Sequence, residues 1–469
     1  MSSAERLAVV VLAAGQGTRM RSARAKVLHE IAGRPLLLHV LHAVAPLGAD
    51  RTVVVVGHQA DTVRAACEGR GVVFALQEQQ RGTGHAVAIA ADAALRDFSG
   101  DVLILYGDVP LLREATLERL VAEHRSRAAT LTMLTTVVED PHGYGRIVRD
   151  PAGALSRIVE QRDASEAERA ITEVNPGIYC VKRDFLVDAL AGLRPNNAQG
   201  ELYLTDVVAA AVSRGLPVAT EPVEPDEVAG INSRADLAAV EATLRREIVR
   251  RHMDAGVTFL DPQTAYVEAD VEIGADTTIG PVVRLRGRTR IGRDCTIEGN
   301  AFLHDAVIGD GVHLKPMVVI AESRVDAGSI LGPFCQLRPG SHLHEGVHVG
   351  NFVEVKKSDL GAGTKANHLA YLGDATIGRD TNVGAGTITC NYDGFEKHRT
   401  VIGDRVQIGS DSQLVAPVTI ADDAYVATGT TVRHDVEAGA LAFNPRPDQR
   451  RPGWVEGFRK RKAGKKKAG

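Results

Sequence analysis

Two groups of residues in this 469-residue chain have types and spacings suited to chemistry. The first begins with Leu12, Ala13, Ala14, Gly15, Gln16, Gly17, Thr18, Arg19 and Met20, directly after the apolar run Leu7 to Leu12. Gly15 and Gly17 allow a backbone to approach a phosphate, and the N–H groups of such a loop can cradle an anion. A tight strand-to-helix turn needs the same glycines. Lys26, the only lysine in the first 181 residues, supplies a compact cation for a polyphosphate. The segment Gln77 to His85 adds amide donors with Gly82 and Thr83, suited to reading a base edge. Tyr106, Gly107 and Asp108 end an apolar run, which places the Asp108 carboxylate at a sheet edge where Mg2+ would find an oxygen ligand. A turn or helix cap is the plain alternative for that Asp.

The second group lies between Arg338 and Lys397, where Lys356, Lys357, Lys365, His368, Tyr371, Asn382, Asn391 and Tyr392 crowd together. The chain has 12 lysines, five of them in the last ten residues, so four of the remaining seven fall in this window. His368, in NHLAYLGD, is the candidate base, because imidazole accepts protons near neutral pH. A solvated charged face of a solenoid is the competing reading.

Different elements must hold the two groups. Leu7 to Leu12, Thr52 to Val56, Val102 to Tyr106 and Leu131 to Thr135 read as buried parallel strands. Helical stretches such as Pro35 to Val44 and Ala115 to His124 alternate with them, giving an α/β Rossmann-like domain over residues 1–229. Ser233 caps an amphipathic stretch with Leu237, Val240, Leu244 and Ile248 at helical spacing, a linker helix over 230–252. From Ile273 an aliphatic residue recurs every six positions (Ile279, Leu285, Ile291, Ile297, Leu303), and the run restarts at Val325 and at Ile402. This period predicts a parallel β-helix over 253–440, one short strand and one turn per repeat. Glycines that follow the aliphatic positions, among them Gly274, Gly280, Gly292, Gly350 and Gly409, are expected to turn the chain with positive φ.

Composition sets the limits. Hydrophobic residues make up 44% of the chain and charged ones 24%, which excludes a disordered or collagen-like polymer. Five scattered cysteines without C-x-x-C spacing argue against a disulfide framework and fit a reducing cytoplasm. No apolar run reaches membrane-spanning length. Outside the tail cations Arg459 to Lys467, 48 basic side chains face 59 acidic ones, which argues against nucleic acid as partner. The C-terminal extension over 441–469 reads as a solvated, flexible end with a basic tail. Residues 270–440 hold 23 of the 47 glycines, as narrow coils that exclude aromatic rings require.

Taken together, these motifs resemble the sugar-phosphate nucleotidyltransferases. With the hexapeptide half attached, the chain is similar, from Leu7 to about Trp454, to the bifunctional N-acetylglucosamine-1-phosphate uridyltransferase and glucosamine-1-phosphate acetyltransferase family. The resemblance implies a left-handed β-helix, a homotrimer and two reactions, with acetyl-CoA and UTP as co-substrates. UTP and its sugar product would be held by Leu12, Ala13, Ala14, Gly15, Lys26, Gln77, Gly82, Thr83, Tyr106 and Gly107, and the sugar phosphate by Gly145, Glu160 and Asn175. Asp108 and Asn232 would hold Mg2+, and Lys26 would serve in catalysis. In the second half the resemblance makes His368 the base and places the acceptor sugar, glucosamine-1-phosphate, on Arg338, Lys356, Tyr371, Asn382 and Lys397. Acetyl-CoA would lie against Asn391, Tyr392, Ser410 and Thr428, with Arg446 only if the match shifts by one residue in FNPRP. One departure is Ala25, where the family usually has Pro before the lysine.

Two other readings compete. One is a single-activity nucleotidyltransferase whose β-helix only assembles or regulates it; the lysines around His368 count against that. The other is a metal site built from His342, His344 and His348, of which the first two share one face of an extended strand and the third ligand would come from another coil or subunit.

Overall fold

In a computed structural model, residues 6–445 and 449–466 are described, and the chain divides into two compact units. The first comprises residues up to Arg251 together with Val267–Asp270, and the second His252–Tyr266 with Val271 onward.

The first unit is built on a ten-stranded sheet. Its strands are β1 (Leu7–Leu12), β2 (Arg51–Val56), β3 (Val73–Leu76), β4 (Asp101–Tyr106), β5 (Leu131–Val137), β6 (Gly145–Arg149), β7 (Leu155–Val159), β8 (Glu173–Asn175), β9 (Tyr179–Lys182) and β10 (Val218–Pro222). The spatial order is β3-β2-β1-β4-β9-β5-β8-β6-β7, with β10 beside β5. Strand β1 is buried on both faces, which explains its unbroken apolar run. Ala8, Val10 and Leu12 pack with Val87, Ala90 and Ala94 of the helix Thr83–Ala94. Val9 and Val11 face Leu37, Val40 and Leu41 of the helix Leu36–Val44 on the other side. Burying each such Val or Leu contributes about 1.5–3 kcal/mol.

The four strands expected to be parallel run in one direction, but the sheet as a whole is mixed. Strands β3, β2, β1 and β4 are parallel, but β9 enters antiparallel between β4 and β5. The Leu131 strand is therefore antiparallel to β9 and parallel to β10. An apolar run reports burial on both faces and carries no information about direction.

The helix Arg234–Asp254 starts with a reciprocal cap: Ser233 Oγ accepts from the Asp236 N–H at 3.2 Å, and Asp236 accepts from the Ser233 N–H at 2.8 Å. Its Leu237, Val240 and Leu244 pack against a cluster containing Met20, Ile31, Leu36 and Leu111 in the first unit.

In the second unit, strands of two to four residues stack into three parallel sheets of 11, 10 and 9 strands. Each coil contributes one aliphatic residue per sheet, as Leu331, Leu337 and Leu343 do, and all three are fully buried. This is a left-handed parallel β-helix. The breaks in the six-residue period, such as Leu303 to Ile308 and Val355 to Leu360, fall at one corner of the triangle. The long excursion between Cys390 and Thr400 leaves from that same corner.

Of the glycines after the aliphatic residues, Gly332 takes positive φ (92°) as expected, but the others do not. Gly274, Gly280, Gly292, Gly350 and Gly409 all lack positive φ, which is instead adopted at the turns by residues such as Asp276, Val282, Phe334 and Phe352. A Cβ on Gly274 would lie 2.7 Å from the carbonyl carbon of Gly292 in the next coil. These positions need glycine because successive coils stack there backbone against backbone.

The C-terminal tail also departs from expectation, since Trp454–Lys466 forms a helix. Arg, Lys and Ala are good helix formers, and Trp454 stacks on Phe458 one turn later with ring centroids 5.1 Å apart.

Candidate active sites

The carboxyl ends of β1 and β4 open into a cleft of about 710 Å³. Its lining includes Leu12, Ala13, Ala14, Gly15, Lys26, Gln77, Gly82, Thr83, Tyr106, Asp108 and Asn232, residues scattered over more than 200 positions of sequence. The loop after β1 is fastened by backbone bonds from Gly107 N–H to the Leu12 carbonyl at 2.9 Å and from Ala13 N–H to the Val55 carbonyl at 2.9 Å. Gly15 has nothing within 4 Å of where a Cβ would stand, so its backbone is open to a ligand. Gly17 has φ +65°, and a Cβ there would lie 2.6 Å from Lys26 Cβ. Gly107 is packed beneath this edge, close to Leu37 and the Leu12 carbonyl.

Lys26 ties the cleft together. Its ammonium donates to the Asp108 carboxylate and, at 3.2 Å, to Asn232 Oδ1. Both members of the Lys26–Asp108 pair are mostly buried, with 15% and 14% of their side chains exposed. The Asp108 carbonyl accepts the Ile231 N–H at 3.0 Å, which brings Asn232 beside it. Two oxygens from distant segments thus converge on one cation, and an oxygen-only pair of this kind fits Mg2+. Burial pushes the Tyr106 phenol above its ordinary range, so it stays neutral.

Gly145, Glu160 and Asn175 meet at the outer part of the same sheet. Asn175 pairs with Gly145 across β8 and β6, and a Cβ on Gly145 would be 3.5 Å from Glu160 Oε1. Asn175 is buried, donating to the Tyr179 hydroxyl at 2.6 Å and accepting from the Gly177 N–H at 2.9 Å. Burial holds the Glu160 carboxyl above its usual value, while the Thr205 hydroxyl donates to it at 3.2 Å. Several cleft residues escaped sequence reasoning. Tyr144 and Glu201 line it, and Asp236 anchors Asn232 by accepting its N–H at 2.9 Å. Only the cap pattern at Ser233 hinted at Asp236.

The second group assembles on the β-helix. Arg338 pairs with Lys356, and Lys356 with Gly373, in adjacent strands of one sheet, where Glu354 lies beside Tyr371. Arg338 donates to Glu354 at 2.8 Å. The organising carboxylate is Asp374, which sequence reasoning missed. It accepts from Asn391 Nδ2 at 2.5 Å and lies 3.5 Å from the mostly buried Lys356 ammonium. The hydrogen bond with Lys356 and its like charge hold Lys397 below the ordinary lysine value. Tyr392 and Lys397 bridge each other at the base of the excursion.

His368 stands exposed at the neighbouring corner, with Nδ1 3.1 Å from Asn351 Oδ1. Ser410 and Thr428 belong to the same column. They follow Ile408 and Val426 by two residues, as His368 follows Ala366, and the strands carrying these aliphatics stack in register through Val383. Asn382 lies on that sheet but beside Lys365, at the other end of the strand. Arg446 lies outside the described residues. Lys357 occupies a turn with φ 47°.

The set His342, His344 and His348 does not assemble. His342 pairs with Arg324 and Asp359 in one sheet, whereas His348 pairs with Ile330 and Lys365 in another. All five cysteines are free, and among the described residues no helix is long and apolar enough to cross a membrane.

Residues 9–176 match the MobA-like NTP transferase domain, and residues 399–434 match the bacterial transferase hexapeptide (six repeats). The chain is 51% identical to the bifunctional protein GlmU of Pelobacter propionicus over 96% of this chain and 98% of that one. It is 53% identical to bifunctional protein GlmU of an Anaeromyxobacter species, strain Fw109-5, over 96% and 92% of the respective chains. Against that of Brevibacillus brevis the identity is 49% over 92% and 94%.

Proposed function

The chain belongs to the bifunctional GlmU family, and from that premise we propose how its residues divide two reactions. It is a bifunctional transferase, a uridyltransferase and an acetyltransferase. Glucosamine-1-phosphate is acetylated by acetyl-CoA, and the resulting N-acetylglucosamine-1-phosphate takes UMP from UTP to give UDP-N-acetylglucosamine and pyrophosphate. Residues 1–229 carry uridyl transfer and 253–440 acetyl transfer, with 230–252 joining them and 441–469 as an extension.

In the first site the nucleophile is a phosphate oxygen that is already anionic at neutral pH, so no base is needed. The task is to hold anions in line and offset their repulsion. Lys26 supplies one positive charge, the Gly15 loop offers backbone donors, and Gln77, Gly82 and Thr83 take the base. Gly145, Glu160 and Asn175 position the sugar phosphate. Asp108 and Asn232 hold Mg2+, which when bound supplies charge neutralisation.

In the second site a neutral amine attacks the thioester carbonyl of acetyl-CoA, and a proton must leave the nitrogen. His368 takes it. Nδ1–H donation to Asn351 leaves Nε2 as the basic atom. Arg338, Lys356 and Lys397 face the sugar phosphate, with Tyr371 and Asn382 on the sugar. Asn391, Tyr392, Ser410 and Thr428 receive the cofactor.

A homotrimer is supported by an apolar column on the turns beside His368, where Met317, Phe334, Phe352 and Leu369 are 46%, 49%, 58% and 61% exposed. Phe334 and Phe352 stack at 5.3 Å. A second and third copy covering this column would complete the acetyl site. A cytoplasmic setting agrees with the free thiols.

The observation that carries the two-reaction reading is the presence of an independent constellation in each unit: Lys26, Asp108 and Asn232 in one, and Lys356, Asp374 and Asn391 in the other, with His368 at the neighbouring corner. Asp108→Ala and His368→Ala test it by a crossed assay. Pyrophosphate release should fail in the first and CoA release in the second. A His368→Ala chain that still acetylates at the normal rate would remove the second assignment.

A further inference from the structure

On the sheet that follows the one carrying Arg338 and Lys356, two histidines and two aspartates interlock across three successive coils of the β-helix. His342 and His344 flank the buried Leu343, so both rings point outward from one strand. The coil before them places Val325 under Leu343 and hence Asp326 beside His344; the coil after them places Asp359 beside His342. The rings lie 4.0 Å apart between the two carboxylates. Among the described residues, Asp326, His342 and His344 are the one group of three whose ligating atoms fall within 4.8 Å of one another.

The atoms are oriented in a specific way. Asp326 Oδ1 accepts from Arg324 Nε at 2.7 Å, which leaves Oδ2 directed at the imidazoles. Oδ2 is 2.9 Å from His342 Nε2 and 3.7 Å from His344 Nδ1. The other nitrogen of His344, Nε2, is 3.0 Å from Asp359 Oδ1. A carboxylate on the far nitrogen of a histidine is the arrangement that fixes the tautomer of a metal-ligating imidazole and raises its basicity.

The geometry points to a divalent transition-metal site, with His342 Nε2, His344 Nδ1 and Asp326 Oδ2 as ligands and Asp359 supporting His344. Two imidazoles and one carboxylate suit Zn2+ or Co2+ and do not suit Mg2+ or Ca2+, which select oxygen. Tetrahedral ligands at bond lengths of about 2.0–2.1 Å stand about 3.3–3.4 Å apart, and Asp326 Oδ2 already lies 2.9 and 3.7 Å from the two imidazole nitrogens. The fourth position is open to water or an anion. Because the ligands come from two coils and the supporting carboxylate from a third, the ion would fasten three coils together. This site differs from the three-histidine set considered from the sequence, since Asp326 takes the place of His348.

The test is titration of the metal-stripped full-length protein with Zn2+ alone by calorimetry, in excess Mg2+ to fill the Asp108 and Asn232 oxygens, with Co2+ absorption as an independent readout of ligand geometry. Expected are one Zn2+ per chain with tetrahedral-type Co2+ absorption, and loss of both in H342A/H344A. Asp359→Asn should weaken binding roughly 10–100-fold, and His348→Ala should leave it unchanged. Zinc should raise the unfolding temperature of the parent and not that of H342A/H344A. If the double variant misfolds, the single variants His342→Asn and His344→Gln carry the same expectation of weakened binding. Equal Zn2+ stoichiometry and affinity in the parent and these variants would overturn the site.

Discussion

The Nδ1 atom of His368 lies 3.1 Å from the side-chain oxygen of Asn351, its register partner in the preceding coil. An amide oxygen can only accept, so it selects the tautomer with the proton on Nδ1 and leaves Nε2 able to take one. With His368 as the proposed base, Asn351 would be a positioning residue for acetyl transfer. His368→Ala should lower kcat for acetyl transfer by about 10²–10⁴-fold, the usual worth of a general base. Asn351→Ala should cost about tenfold, because a free imidazole still visits the correct tautomer and orientation. Asn351→Asp should move the acidic limb of the pH–rate profile to higher pH, since a carboxylate favours imidazolium. An unshifted limb in Asn351→Asp would show that the contact does not act on the base.

In the other unit, the Lys26 ammonium bridges Asp108 and Asn232. Removing the lysine charge while keeping its bulk, Lys26→Met, should lower uridyl transfer about 10²–10³-fold, the scale of losing one electrostatic stabiliser of an anionic transition state. Asp108→Asn should raise the Mg2+ concentration needed for half-maximal rate. Acetyl transfer should stay within about twofold of normal in both variants, measured as CoA release. A parallel loss of both activities would point to unfolding instead.

The reach of the sequence can be traced residue by residue. The strand ends Leu12 and Tyr106 were legible because a run buried on both faces is apolar throughout, and Lys26 stood out because lysine is otherwise absent there. The β-helix was legible because a triangular coil repeats its inward residue at a fixed interval. The antiparallel strand β9 was not, since it reaches its place between β4 and β5 through long-range pairing that leaves no local signal. Asp374 and Asn351 were missed for a related reason: each acts on a residue about one coil away, at separations of 17 or 18 positions that become contacts only after the coil closes. The two histidines 342 and 344 were visible as a pair, yet their carboxylate partners were found only from the register.

The glycines of the repeat make a separate prediction. Gly274 has no positive φ, and a Cβ there would press on the Gly292 backbone at 2.7 Å, which cannot give way as a flexible side chain would. Gly274→Ala should destabilise the second unit by about 1–3 kcal/mol, the range for overpacking. Exposed Asp276, at φ 64°, is the counter-case, because Asp276→Gly relieves a left-handed backbone and should be neutral or slightly stabilising. Denaturant unfolding followed in both variants checks the pair. If Gly274→Ala proved neutral, close coil stacking would not be the reason for glycine at this position.

His39 gives the first unit a pH-dependent stability. The ring is buried on the helix Leu36–Val44, with Nε2 3.0 Å from the Ile31 carbonyl. Burial lowers its pKa from 6.5 to about 4, with the nearby Arg34 cation acting in the same direction and the Ile31 hydrogen bond opposing. The unfolded chain therefore takes up a proton at a higher pH than the folded one. Between about pH 6.5 and 4 the unfolded state binds more protons, so stability rises with pH across this window and is lost as pH falls through it. The full effect is on the order of 3 kcal/mol, because each tenfold difference in proton affinity between the two states is worth about 1.4 kcal/mol. His39→Gln keeps a donor for the Ile31 carbonyl and cannot protonate in this range. It should flatten the dependence of the unfolding free energy on pH between 6.5 and 4, measured by urea unfolding of the first unit's transition, while a slope equal to that of the parent would assign the acid sensitivity to other groups.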